Sequence, residues 1–357
     1  MQNTGKPVIL VTGSEGLIGD AIVNWEYEKY EIASFDIARP HKRPDIQDFI
    51  NCDMTSDESV ASALRTLRER HGNKLASVVH LAAYYDFSGK PSRLYNDLTV
   101  EGTRRLIRGL QQFEVEQFIF SSTHIVMAPS ERGEPITESS PIGAEWDYPK
   151  SKLAAEKVIR EERGSIPAVI LRIGGVYNED GHTVPIAQQI ARIHEKQFES
   201  YFFPGDPSAG QAFVHLDDLV DLVHRVIERR KQLSPYEVFL VAEPDMVSYD
   251  DLQDIIGEEI HGKEWPTIRI PKIVAKMGAW AQEKLSGEDE AFIKPWMIDL
   301  ADDSYPVSPE RAQKLLGWQP RHRLRDTVPE MVRRLRQDPA RWYQTNRIPL
   351  PETVSQR

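Results

Sequence analysis

The sequence predicts an α/β fold, in which a parallel sheet is covered by helices on both faces and joined to a smaller lobe. Three observations predict it. Short apolar, β-branched runs alternate with helical patterns through the first half. The first of these runs ends in glycines spaced every third residue. After Arg172 the alternation gives way to proline-rich irregular stretches and then partly resumes. Alternating strands and helices are the mark of βαβ units, whose parallel sheet needs cover on both sides.

The expected strands are Val8–Thr12, Ile32–Phe35, Phe49–Cys52, Ser77–Leu81, Gln117–Ser121 and Ala168–Arg172. Each is a short apolar run of strand length. The expected helices are Leu17–Trp25, Glu58–Arg70, Ser92–Phe113 and Tyr148–Arg163. In the third, Leu94, Leu98, Leu106, Ile107 and Leu110 fall at helical spacing. Gly174–Gly210 is irregular and holds Pro185, Pro204 and Pro207. The alternation resumes with a strand at Phe213–Leu216, a helix at Asp217–Arg230 and a strand at Glu237–Val241. The expected division is 1–173 with 213–241 returning to the sheet, a lobe of 174–212 and 242–320, and a helix and tail over 321–357.

The chain has 357 residues, room for about two domains. Its net charge is −11, so it gains nothing from displacing counterions on nucleic acid. The same sign disfavours docking on anionic membranes. Cys52 is the single cysteine, which rules out an internal disulfide and a cysteine-built metal site. No metal is expected. The apolar run near the N-terminus is too short for a signal core or a membrane span. A cytoplasmic protein is expected, with neither nucleic acid nor membrane as partner.

The first strand runs into Thr12-Gly13-Ser14-Glu15-Gly16-Leu17-Ile18-Gly19. Gly13 permits a tight turn, Gly16 lets backbone amides approach a pyrophosphate, and Gly19 lets the helix pack close to the sheet. The glycines alone would also suit a flexible loop. Asp36 ends the second strand, where a carboxylate accepts ribose hydroxyls and repels a 2′-phosphate. NAD is therefore favoured over NADP, with Arg39, Lys42 and Arg43 nearby as the opposing signal. Asp53 after the third strand reads as a turn residue or an adenine contact.

Tyr148 and Lys152 stand one helical turn apart. A phenol titrates near 10, so phenolate at neutral pH needs about 4 kcal/mol of differential stabilisation. A neighbouring ammonium favours that form. The spacing alone is common, and an exposed helical pair would satisfy it equally. Its weight comes from Phe118-Ile119-Phe120-Ser121-Ser122-Thr123, a strand that ends in three hydroxyls where α/β sheets place ligands. Thr123 is the candidate donor to a substrate oxygen. Ser121 and Ser122 read equally well as strand caps. His80, His124 and His215 read as structural, and Arg333-Arg334-Leu335-Arg336 as a solvated helix face.

Taken together, the sequence resembles the extended branch of the short-chain dehydrogenase/reductase superfamily, the NAD-dependent epimerase/dehydratase type. The resemblance runs through the Thr12–Gly19 loop, Asp36, Asp53, His80-Leu81-Ala82-Ala83, Val100-Glu101-Gly102-Thr103, Thr123, Tyr148 and Lys152. It continues through Leu171-Arg172, Val176-Tyr177, Phe213-Val214-His215-Leu216-Asp217-Asp218 and Leu315-Leu316-Gly317-Trp318-Gln319-Pro320. It implies a Rossmann-type doubly wound parallel sheet with a smaller interleaved C-terminal substrate lobe. It implies Tyr148 as general acid/base, Lys152 holding the nicotinamide ribose and Thr123 orienting the substrate oxygen. Cofactor contacts would come from Gly13, Gly16, Leu17, Ile18, Gly19, Asp36, Asp53, Met54, Leu81, Ala82, Ala83 and Lys152.

The departures narrow the chemistry. His124-Ile125 stands where sugar-nucleotide dehydratases of the family carry Asp-Glu, so dehydration is not expected. Gly174-Gly175 and Gln211-Ala212 stand where sugar-nucleotide enzymes carry an asparagine and an arginine. Thr99 replaces a frequent asparagine. Tyr84-Tyr85 and Ile270–Met277 resemble the hydroxysteroid-dehydrogenase-like relatives more. The expected function is NAD-dependent hydride transfer on a secondary alcohol or ketone of a small molecule, with sugar-nucleotide epimerisation as the alternative. An NAD-binding scaffold without turnover fits the intact Tyr148, Lys152 and Thr123 set least. A homodimer through the Ser92–Phe113 and Tyr148–Arg163 helices is expected from the superfamily's habit.

Overall fold

The computed structural model describes residues 5–39, 45–86, 90–130, 134–278 and 295–351. Lys42 and Arg43 lie outside them. Seven parallel strands form the central sheet: β1 (Val8–Thr12), β2 (Glu31–Asp36), β3 (Asp48–Asn51), β4 (Ser77–His80), β5 (Phe118–Thr123), β6 (Ala168–Ile173) and β7 (Tyr236–Val241). They lie in the order β7-β6-β5-β4-β1-β2-β3. The chain winds outward from β1 in one direction and returns through β4 to wind the other way, which leaves a crevice at the carboxyl ends of β1 and β4.

Successive side chains of each strand point to opposite faces. On one face Leu10, Val78, Phe118, Phe120 and Ile170 pack under α2 (Asp57–His71), α3 (Glu101–Gly109) and α4 (Asp147–Glu162). On the other, Ile9, Val11, Val79, Ile119 and Leu171 pack under α1 (Leu17–Glu26) and α6 (Leu216–Glu228). Trp318, fully buried, completes this second layer and donates its indole N–H to the Asp218 carbonyl at 2.9 Å.

A third core lies outside the sheet, among α5 (Val184–His194), α7 (Tyr249–His261), α9 (Leu324–Gln337) and α10 (Pro339–Thr345). The short helix α8 (Glu310–Leu316) leads from the sheet side towards it. Contacts between residues distant in sequence hold this lobe. Arg334 reaches Asp180 at 2.8 Å, and Asn346 accepts the His182 amide at 2.8 Å. Arg336 donates to the Ile260 carbonyl at 3.0 Å, so this basic run ties elements of the lobe together.

Two expectations need correction. Of the stretch expected to rejoin the sheet, Tyr236–Val241 does so beside β6, but Phe213–His215 does not. It pairs in parallel with Gly175–Tyr177 as a separate ribbon. The two glycines permit that approach, because a Cβ on Gly174 would stand 2.8 Å from the Ala212 carbonyl oxygen. The Ser92–Phe113 segment is not one α-helix. Tyr95–Val100 is π-helical, α3 follows, and Leu110–Gln112 is a 3₁₀ turn. The widened turn places the Thr99 hydroxyl where it accepts the Tyr84 amide at 3.0 Å. No helix among the described residues is long and apolar enough to cross a membrane.

Candidate active site

The carboxyl ends of β1, β2, β4 and β5 share one edge of the sheet, and the predicted residues gather there. Gly13 leaves β1 with φ +71° and donates its amide to Phe35 O at 2.9 Å. A Cβ at Gly13 would stand 2.9 Å from the Ala82 nitrogen, and one at Gly19 would run into the Gly13 carbonyl. Gly16 caps α1 without a side chain, so the amides of Leu17, Ile18 and Gly19 head the helix before any earlier turn can accept them. The result is a turn with no Cβ at Gly13, Gly16 or Gly19, set at a positive helix end, which fits a pyrophosphate.

Asp36 stands beside this cradle. Its Oδ2 accepts the Glu15 amide at 3.1 Å, and its Oδ1 accepts Ile37 N at 2.8 Å. Arg39 follows on the surface. Asp53 makes the turn that the sequence allowed. Its Oδ1 accepts the Thr55 hydroxyl at 2.7 Å and the Thr55 amide at 2.8 Å, which holds the carboxyl below its usual range. The Met54 side chain is buried in the core beneath α2 and α3, and its backbone carbonyl accepts Arg105 Nη1 at 3.2 Å.

Leu81, Ala82 and Ala83 pass beside Gly13, and sequence reasoning missed what fixes them. The Ala82 amide donates to the Thr12 hydroxyl at 3.3 Å, and Thr12 meets His80 Nδ1 at 2.7 Å. His80 Nε2 meets the Thr103 hydroxyl at 2.9 Å, and that hydroxyl donates to Thr99 O at 2.6 Å. Because Thr103 spends its proton on Thr99, it accepts from His80. The imidazole therefore carries its proton on Nε2 and accepts from Thr12. Full burial, with Lys152 close by, lowers its pKa to about 3 and keeps it neutral. This chain of donors locks the 81–84 backbone to β1 and α3.

β5 overshoots β4 by three residues. His80 pairs with Phe120, while Ser121, Ser122 and Thr123 pair only with β6. The overshoot leaves the Ser121 carbonyl to accept Lys152 Nζ at 2.7 Å. Tyr148 lies in the first turn of α4 and Lys152 in the next, with Nζ 5.9 Å from the Tyr148 ring centre and 5.0 Å from that of Phe120. Burial raises the Tyr148 phenol, a hydrogen bond with Thr123 lowers it, and Tyr95 adds to the rise. Burial lowers Lys152 to about 7, against the opposing pull of Glu156. Thr123, Tyr148 and Lys152 thus lie together at the carboxyl end of β5.

Ser122 instead turns inward and donates to Glu156, and Ser121 donates to His80 O at 3.3 Å. Aromatic rings surround the phenol. Tyr85 lies edge-on to Tyr148 at 4.8 Å, Trp146 is tilted at 5.5 Å, and Tyr84 and Tyr95 meet at 4.8 Å. Of this rim, only Tyr84-Tyr85 was singled out from sequence. On the far side of Thr123, buried His124 packs its ring against Tyr305 at 5.3 Å.

Comparison with known proteins identifies the family. The sequence profile of the NAD dependent epimerase/dehydratase family matches residues 9–242. The chain is 26% identical over 349 residues to 3 beta-hydroxysteroid dehydrogenase type 7 of Mus musculus, covering 88% of this chain and 91% of that protein. It is 23% identical over 344 residues to UDP-glucose 4-epimerase of Halalkalibacterium halodurans, covering 90% and 93%. The solved structure of Thermus thermophilus UDP-glucose 4-epimerase in complex with NAD superposes with a TM-score of 0.69 at 22% identity, covering 93% of this chain and 99% of that one. The chain belongs to the NAD-dependent epimerase/dehydratase family and is an enzyme of the extended short-chain dehydrogenase/reductase type.

Proposed function

We propose that this chain reversibly oxidises a secondary alcohol on a small, neutral, largely apolar molecule to the ketone, with NAD as hydride acceptor. The observation that carries the reading is the meeting of Thr123, Tyr148 and Lys152 beyond the end of β4, beside a cradle shaped for a dinucleotide. NAD, when bound, supplies the hydride acceptor. Thr123 holds the substrate hydroxyl, Tyr148 takes its proton, and Lys152 lowers the cost of the phenolate and binds ribose hydroxyls. Gly13, Gly16, Leu17, Ile18 and Gly19 would hold the pyrophosphate. Asp36 would hold the adenosine ribose, and the Asp53–Met54 and Leu81–Ala83 backbones would line the adenine and nicotinamide ends. The residues 174–212 and 242–320 would supply the substrate lobe.

The aromatic rim favours an apolar ring system over a sugar. The position where sugar-nucleotide enzymes carry asparagine is closed here, because a Cβ on Gly175 would stand 2.6 Å from the Phe213 ring. The likeness to a 3 beta-hydroxysteroid dehydrogenase points the same way. The second reading, sugar-nucleotide epimerisation, draws on the likeness to UDP-glucose 4-epimerases.

The test follows nicotinamide absorbance against a panel of neutral ring alcohols and UDP-sugars. NADH accumulating with the ring alcohols supports the proposal. Inversion of a UDP-sugar without net NADH replaces it with the second reading. Titration with NAD and NADP checks the carboxylate of Asp36, which should favour NAD by several-fold or more; equal affinities would remove that role. A homodimer through α3 and α4 is also proposed. Their apolar residues are spent on the sheet, so the contact would rest on a charged outer face carrying the Arg104–Glu162 and Arg108–Glu162 pairs. Light scattering that returns a monomer mass at micromolar concentration would end that idea.

A further inference from the structure

Lys152 is an ammonium in a setting hostile to charge. It is 3% exposed, and it donates a hydrogen bond to the Ser121 carbonyl. One turn further along α4, Glu156 is equally buried, at 3% exposure. Its Oε2 receives Arg172 Nη2 at 2.7 Å, and its Oε1 receives Arg172 Nε at 3.1 Å and the Ser122 hydroxyl. Ser122 on β5 and Arg172 on β6 are partners in strand register, so one carboxylate ties α4 to two adjacent strands. The tie falls between Ser121, which seats Lys152, and Thr123.

The groups facing this pocket can be named element by element. α4 contributes Tyr148, Lys152 and Glu156, and β5 contributes the hydroxyls of Ser122 and Thr123. β6 contributes Arg172, and β4 contributes His80, which is neutral. Glu156 is the negative charge among them, and Arg172 offsets it through two hydrogen bonds.

We propose that Glu156 is a positioning residue for the Tyr148–Lys152 pair. It fixes the height of α4 against β5 and keeps Lys152 in its charged form, and Arg172 stops the carboxylate from collapsing onto the lysine. The importance of that charge rests on the reading of Lys152 as the group that holds the ribose. Glu156 acts on Lys152 in the apoprotein, before any cofactor binds.

The test reads Lys152 ionisation directly, by NMR of isotope-labelled lysine in the apoprotein across pH, alongside NAD affinity across pH. Glu156→Gln removes the negative charge, so the lysine midpoint should fall by about one pH unit. NAD affinity should then fade at correspondingly lower pH. Arg172→Gln removes the offsetting charge, so the midpoint should rise. Glu156→Asp keeps the charge and should stay near the wild-type midpoint. Two variants that lose thermal stability while leaving the midpoint in place would show a purely structural tie and overturn the proposal. If Glu156→Gln does not fold, Arg172→Gln and Ser122→Ala carry the test: each strengthens the pull of the carboxylate, and an unmoved midpoint overturns the proposal. A wild-type chain that fails to bind NAD defeats the functional reading, and the lysine midpoints still decide this one.

Discussion

The edge of the sheet that carries the candidate site and the lobe around α5, α7, α9 and α10 are built on different plans. The site edge is made of strands of four to six residues whose side chains alternate between two cores. The lobe joins its helices through ribbons of two or three residues and through single side chains, such as Arg334 on Asp180 and Trp265 on the Ser200 hydroxyl at 3.1 Å. A periodic pattern fixes chemistry in the first region. Pairs distant in sequence fix shape in the second. Under the proposed function, the catalytic edge can therefore stay constant while the lobe beside it is rebuilt.

Three changes would break or sharpen this contrast. The largest effect is expected at the site. Tyr148→Phe removes the proposed proton acceptor and leaves the ring packed against Tyr85 and Trp146, so turnover should drop by about two to four orders of magnitude. NAD titration should be unchanged. Near-native steady-state turnover would mean that the phenol is not the acid/base group and that the site's geometry is decorative.

Gly19→Ala should come next. Its Cβ meets backbone, the Gly13 carbonyl, which cannot swing aside as a long side chain could. A cost of about 1–3 kcal/mol is expected in denaturant unfolding, with weaker NAD binding. A variant with wild-type stability and affinity would show that the loop yields more than its packing suggests.

The third change lies at the junction of the two regions. Glu243, just after β7, accepts the Leu324 amide at the start of α9, and burial raises its carboxyl to about 8. A raised carboxyl favours the folded state while it stays protonated. Its contribution is complete below the ordinary value of 4.5 and is lost as pH rises through about 8. Melting temperature should fall across that window, and Glu243→Gln should flatten the fall. Identical pH profiles for the two proteins would place the sensitivity elsewhere.

The fold was legible where local pattern determined it. β1 through β6 and α1, α2 and α4 follow from apolar runs, glycines and helical spacing. The break in Ser92–Phe113 was not legible, because the π-helical turn answers to Thr99 and its partner at Tyr84, which the local sequence does not display. The misplacement of Phe213–His215 has the same origin. Its partner strand is set by the room that Gly174 and Gly175 leave, and a strand-like run does not reveal which neighbour it joins. At the site, Thr123, Tyr148 and Lys152 stood out as candidates because a helical pair coincided with a strand that ends in three hydroxyls. The relay through Thr12, His80 and Thr103 spans three elements, and His80 alone reads as an ordinary core histidine. Glu156 gave no signal for a similar reason. Its importance comes from Ser122 and Arg172, one on each of two neighbouring strands.

The order of strands also bears on how the chain is made. β6 acquires its outer neighbour only when β7 arrives, about sixty residues later. Trp318 seals the face beneath α1 and α6 later still. A ribosome adding about 5–20 residues per second leaves the outer edge of β6 bare for several seconds. During that time it is a strand apolar but for Arg172, with unpaired amides, a template for any passing chain. Synthesis therefore opens a window for misassembly that the finished protein never shows, and a nascent chain halted before β7 would need a chaperone to survive it.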